Sequence, residues 1–179
     1  WSSDVCSSDL LSSASTHSIA PAMNPAMPFD AVKDFTPMVQ ITRGGVTRIV
    51  VANDAPFRSA GDLVAWIRAH PGNATYGSGG VGTVPHLNAA ALAAWGDLKM
   101  VHVPYKGAAL VLPDLMAGRV TFMFDSIITA RQNVQAGHFR APGVSGGKRA
   151  PQLPDVPTLA ESGLPGFEPS GAYMGLWGP

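Results

Sequence analysis

The chain has 179 residues and zero formal net charge, with 46% hydrophobic and 13% charged residues. This length supports one or two α/β domains with real cores, and the low charge excludes a disordered chain. The neutral balance offers no basic face for nucleic acid, and no apolar run approaches the ~20 residues that span a bilayer.

Trp1 to Leu10 (WSSDVCSSDL) shows neither helical nor strand periodicity. It resembles the in-frame translation of a common sequencing-adapter oligonucleotide, and we expect it to be foreign to the native protein. Cys6 would then be foreign as well, leaving no disulfide framework and no thiolate metal site. Leu11 to Ala22 is rich in Ser and Thr, and Pro25 and Pro28 mark loops. Phe35–Thr42 and Thr47–Ala52 read as strands. Ser59 is a candidate N-cap for a helix through His70, with Leu63, Val64 and Ile67 on one face and Pro71-Gly72 ending it.

From there strands and helices alternate. A short strand, Ala74–Gly77, leads into a glycine-rich turn and a helix over Pro85–Trp95, with proline where its missing N–H costs nothing. Lys99–Pro104 reads as a strand and Ala109–Ala117 as a helix ended by Gly118, with Pro113 near its start. Arg119–Phe124 reads as a strand, Ile127–Ala136 as a helix with Gly137 as its cap, and Phe139–Ser145 as a weaker strand. Pro142 confines that last strand to a sheet edge or a bulge. Pro151, Pro154, Pro157, Pro165 and Pro169 make the next stretch a surface wrap, with a short helix expected near Thr158–Ser162. Gly171–Trp177 reads as a final strand. The alternation implies βαβ units and a mainly parallel sheet.

In such sheets ligands bind beyond the carboxyl ends of the strands. Three junctions qualify: Tyr76 to Thr83 (YGSGGVGT), Pro104 to Gly107 (PYKG) and Phe124 to Ser126 (FDS). Glycines let backbone N–H groups turn inward, and a helix start adds partial positive charge, which suits an anion. Gly77-x-Gly79-x-x-Gly82 also fits the dinucleotide fingerprint, but Tyr105 and Lys106 stand where a ribose-binding acid belongs, and a P-loop lysine is missing. No nucleotide, metal or other cofactor is expected. A tight turn without ligand is the bland alternative for the loop. His86 is read as a cap or a wall of the site, His102 as a core residue, and Asp125 as either an N-cap or a site carboxylate.

The runs Tyr76 to Leu87 (YGSGGVGTVPHL), Met100 to Gly107 (MVHVPYKG), Met123 to Ser126 (MFDS) and Pro151 to Phe167 (PQLPDVPTLAESGLPGF) resemble, in order and spacing, the Bug family. These are TctC-like receptors of tripartite tricarboxylate transporters. Ser15-Thr16-His17 and Asp34 to Pro37 are similar to that family's first-domain segments. The resemblance implies an α/β fold like type II periplasmic binding proteins, with two lobes, mainly parallel sheets and a first lobe here truncated at both ends. It implies a non-enzymatic periplasmic receptor for a small carboxylate, working with membrane transporter subunits and not itself spanning the membrane. The expected organisation is residues 11–52 with 169–179 as the incomplete lobe and 53–168 as the second lobe. Ligand contacts are expected from Ser15, Thr16, Ser78, Gly79, Gly82, Thr83, His86, Tyr105, Asp125 and Ser126. Ala90, Asn88, Arg43 to Gly45 and the strand RAPGVSG (Arg140 to Gly146) depart from the family pattern. A ligand-sensing module on the same fold and an enzyme using Ser78 and Asp125 are the competing readings.

Overall fold

The computed structural model describes residues 10–45, 47–126, 133–151 and 153–178. The adapter-like segment lies outside this set except for Leu10, and so does most of the helix expected over Ile127–Ala136. The chain divides into two compact units, one from the residues up to Gly45 plus those from Gly171, the other running to Ser170.

The larger unit holds five strands and the helices that pack on their sheet. In chain order these are β3 (Thr47–Ala52), α2 (Ala60–Ala69), β4 (Ala74–Ser78), α3 (Val84–Gly96), β5 (Met100–Pro104), α4 (Leu112–Met116), β6 (Phe122–Ser126) and β7 (Phe139–Val144). A 3-10 turn at Ala108–Val111 runs directly into α4, because Pro113 tolerates only the first helical turn. The strand order is β5-β4-β6-β3-β7. β4 lies parallel to β5 and β6, whereas β3 runs antiparallel to both β6 and β7. The sheet is therefore mainly parallel, with β3 as the reversed strand.

β7 is an edge strand, and the pairing skips from Ile49↔Gly143 to Val51↔Arg140, so Ala141 and Pro142 together oppose Val50. This bulge is how the sheet accepts a residue with no N–H. One face of the sheet packs Ile49, Val51, Phe122 and Phe124 against Leu63, Val64 and Ile67 of α2 and Leu92 of α3. The other face packs Val50 and Met123 against Val111 and Leu115. The period-2 alternation along β3 and β6 thus feeds two cores, giving a three-layer α/β/α unit.

α2 begins with a reciprocal capping box. Ser59 Oγ accepts the Asp62 N–H at 3.0 Å, and Asp62 Oδ2 accepts the Ser59 N–H at 2.9 Å. The short helix expected at Thr158–Ser162 is instead a turn. Gly163, at φ +99°, stops it after one i→i+4 bond, and Ser162 is spent on the start of α2. Ser162 Oγ accepts the Ala60 N–H at 2.8 Å and its carbonyl accepts the Gly61 N–H at 2.7 Å.

The smaller unit contains β1 (Leu10–Ser13), a π-helical turn at Ser15–Ile19, α1 (Ala20–Met23), β2 (Thr36–Gly45) and β8 (Ala172–Gly178). β8 is the middle strand, antiparallel to β1 and to β2, so this three-stranded sheet has no hydrogen-bonded parallel neighbours. β3, expected in this unit, pairs with β6 and β7 and belongs to the larger one. The chain accordingly leaves the smaller unit after Gly45 and not near Val51–Asn53, and it returns at Gly171.

Candidate functional site

The Tyr76–Thr83 junction lies where the sequence places it, between the end of β4 and the first turn of α3. Three glycines take conformations or approaches closed to other residues. Gly80 and Gly82 have φ of +134° and +81°. A Cβ on Gly79 would stand 3.0 Å from the backbone nitrogen of Ala108, so the loop rests directly on the Gly107–Ala108 segment.

The hydroxyls predicted to reach a ligand are turned inward. Ser78 is fully buried, and its Oγ donates to the Gly80 carbonyl at 3.0 Å, accepts the Gly80 N–H at 3.2 Å and lies 2.7 Å from His102 Nε2. A hydroxyl has one proton, so this set closes when His102 carries its own proton on Nε2. Thr83 Oγ1 donates to the Gly80 carbonyl at 2.8 Å and makes no cap bond to α3. His86 Nδ1 accepts the Gly82 N–H at 3.3 Å. The N–H groups of Gly80 and Gly82 are therefore spoken for, while those of Gly79 and Val81 have no partner among the described residues.

His102, read from the sequence as core, is the loop's main support. Its ring stacks on Tyr76 at 4.9 Å and lies 4.2 Å from the His86 ring. Burial, with a smaller contribution from His86, pulls the His102 imidazole below its ordinary value. Tyr105 anchors the loop from the next strand. Its N–H donates to the Ser78 carbonyl at 3.0 Å, and its hydroxyl is held by Asp114 Oδ2 at 2.5 Å. Asp114 also accepts from Arg119, and these two donors hold its carboxyl below the ordinary carboxylate range.

Asp125 sits on β6 with 6% exposure, directly across from the fully buried Arg48 on β3. Arg48 Nη2 donates to the Ser126 carbonyl at 3.2 Å, and the Ser126 N–H donates to Asp125 Oδ1 at 2.8 Å. Burial lowers the Arg48 guanidinium and the Asp125 charge opposes that. Asp125, read from the sequence as an N-cap or a site carboxylate, is a buried carboxylate opposed by a guanidinium. Arg48 went unremarked in the sequence because one cation in the strand TRIVVA looks like a solvent-facing position.

Ser15 and Thr16 belong to the smaller unit. Thr16 Oγ1 accepts the Ser13 N–H at 3.0 Å and lies 2.5 Å from Ser12 Oγ. Ser12 Oγ also meets His17 Nδ1, and the His17 ring stacks on Trp177 at 4.4 Å. A shallow apolar cavity of about 290 Å³ in this unit is lined by Met38, Gln40, Tyr173, Leu176 and Trp177 among others, none of them a predicted site residue. No group of three or more His, Cys, Asp or Glu side chains able to hold a metal occurs among the described residues, and no described helix is long and apolar enough to cross a membrane.

Residues 8–179 match the family model described as "Tripartite tricarboxylate transporter family receptor". The chain belongs to this receptor family. Among curated relatives, the UPF0065 protein of the tcbD-tcbE intergenic region of Pseudomonas sp. (strain P51) is 43% identical over 145 residues, covering 80% of this chain and 43% of the relative. BugT of Bordetella pertussis is 26% identical over 88% of this chain and 48% of its own length. The solved structure of R. palustris Rpa4515 with adipate superposes with a TM-score of 0.89 at 29% identity, covering 96% of this chain and 56% of that one. MatC from Rhodopseudomonas palustris with bound malate gives 0.84 at 28% identity, over 96% and 57%. The periplasmic binding protein BugD gives 0.85 at 28% identity. This chain spans about half the length of those relatives and shares the fold of the solved structures over 96% of its own length. The family and these solved neighbours are solute-binding proteins and not enzymes.

Proposed function

We propose that this chain is part of a periplasmic receptor that captures a small carboxylate and passes it to the membrane subunits of a tripartite tricarboxylate-type transporter. The observation that carries this reading is the superposition, over 96% of the chain, on the solved structures of Rpa4515 with adipate and of MatC with bound malate. The glycine loop supports it chemically. The free N–H groups of Gly79 and Val81 sit beside the start of the 13-residue helix α3. Charge-assisted hydrogen bonds contribute roughly 1.5–3 kcal/mol each, and the helix start roughly 0.3–2 kcal/mol. Ser78, Thr83, His86 and Tyr105 act by holding the loop in that shape. Asp125 and Ser126 close a charge-compensated wall with Arg48.

The test is isothermal titration of the chain with adipate and malate, beside Gly82→Val. At φ +81° a branched side chain is strained and covers the loop's backbone. A loss of at least about tenfold in affinity, with the circular dichroism spectrum retained, is the expected result, corresponding to about 1.4 kcal/mol. Affinity unchanged within about twofold would make the loop a structural turn only.

A further inference from the structure

We propose that Asn88 is a positioning residue that locks helix α3, and with it the glycine loop, to both points where the chain passes between its two units. Asn88 lies one turn into α3 and is 1% exposed. Its side-chain amide makes a two-way clamp on the backbone of Ser170. Nδ2 donates to the Ser170 carbonyl at 3.1 Å, and Oδ1 accepts the Ser170 N–H at 2.9 Å. The same Nδ2 donates to Thr47 Oγ1 at 3.4 Å. Thr47 is the first described residue after the outward passage, and Ser170 is the last before the return.

Ser145 completes the group. Its Oγ accepts the Thr47 N–H at 3.0 Å, and its N–H donates to the Thr47 carbonyl at 2.7 Å. A buried primary amide on an otherwise apolar helix face is costly unless fully bonded, and here every bond runs to a crossing segment. Packing alone would be served as well by Leu or Ala. Its effect on ligand capture rests on the carboxylate reading above.

Amide hydrogen exchange followed by NMR on the whole chain tests the assignment. In Asn88→Ala, the Ser170 N–H loses its acceptor and should exchange about fivefold to tenfold faster, as loss of one net hydrogen bond implies. Val50 and Phe124, in the middle of the sheet, should change less than about twofold, which separates this effect from general destabilisation. Asn88→Asp supplies a readout that packing does not move. At neutral pH its carboxylate can accept from Ser170 but cannot donate to the Ser170 carbonyl. On acidification the neutral acid regains a donor, so its protection, normalised to wild type at each pH, should recover. The groups facing it, Thr47, Ser145 and Ser170, are hydroxyls and backbone that do not titrate there. Uniform acceleration across the sheet in Asn88→Ala, or no recovery in Asn88→Asp, overturns the proposal. A wild-type chain that binds neither adipate nor malate removes the carboxylate reading and leaves this result standing.

Discussion

A sharp structural test lies under the glycine loop, at Gly77. A Cβ added there would fall 2.3 Å from Cγ1 of Val111, far inside contact distance, but 3.5 Å from Cβ of the same valine. Gly77→Ala alone should therefore overpack the face that carries Val50 and Leu115, costing about 1–3 kcal/mol. Val111→Ala alone removes two buried methyl groups, worth roughly 0.8 kcal/mol each, plus a cavity cost, so about 2–3 kcal/mol. In the double variant the offending Cγ1 is gone and the new methyl fills part of the hole, at 3.3 Å from Val120 Cγ1. The two changes should then couple favourably by roughly 1–3 kcal/mol. Urea unfolding monitored by far-ultraviolet circular dichroism measures this, because α2 and α3 both lie in the larger unit. Additivity within about 0.5 kcal/mol would mean that β4 and the 3-10 turn do not touch as described.

Further outcomes follow from the same geometry. Ser78→Ala strips a partner from His102 Nε2 and from the Gly80 N–H and should cost roughly 1–3 kcal/mol by thermal melting; a neutral result would deny the hydroxyl its bridging place. Ser59→Ala should cost about 0.5–2 kcal/mol through the capping box of α2, with Asp a better replacement than Ala. His102 and His17 both have imidazoles held below their ordinary 6.5. The unfolded chain then binds more protons than the folded one just below that value. Stability should be full above about pH 6.5 and fall as pH drops through the lowered folded values. Denaturation midpoints at several pH values check this, and His102→Gln, which keeps the donor but does not titrate, should flatten the profile. Replacing Asp125 by Ala leaves Arg48 buried without its counter-charge and should destabilise by roughly 3–5 kcal/mol, whereas an exposed carboxylate would be removed at little cost.

Much of the larger unit could be read directly from local chemistry. The α2 start needed only Ser59, Asp62 and an apolar stripe, and the edge position of β7 needed only Pro142. What could not be read was tertiary. β3 is apolar enough to suit either unit, and its partners are far away in sequence. The Thr158–Ser162 segment carries helix-start chemistry, yet Ser162 gains more by binding the first N–H groups of α2. The candidate site divided the same way. Glycines disclose backbone shape, so the loop was evident, but nothing in the string shows whether a hydroxyl points out or in. Ser78 and Tyr105 were assigned to a ligand, and their hydrogen bonds in the fold hold the loop, while His102 and Arg48, which carry much of the local electrostatics, looked like ordinary strand residues.

The sheet order of the smaller unit bears on how the chain acquires its shape during synthesis. β8 is that sheet's middle strand, yet it is made after the whole of the larger unit. The larger unit is contiguous and can condense as it emerges from the ribosome, whereas β1 and β2 must wait with unsatisfied edges until β8 arrives. During that interval Met38, Val39 and Ile41, all more than half exposed even in the finished fold, are the residues most open to aggregation. Assembly of the smaller unit is thus the slow, long-range step, and chaperone dependence should concentrate there.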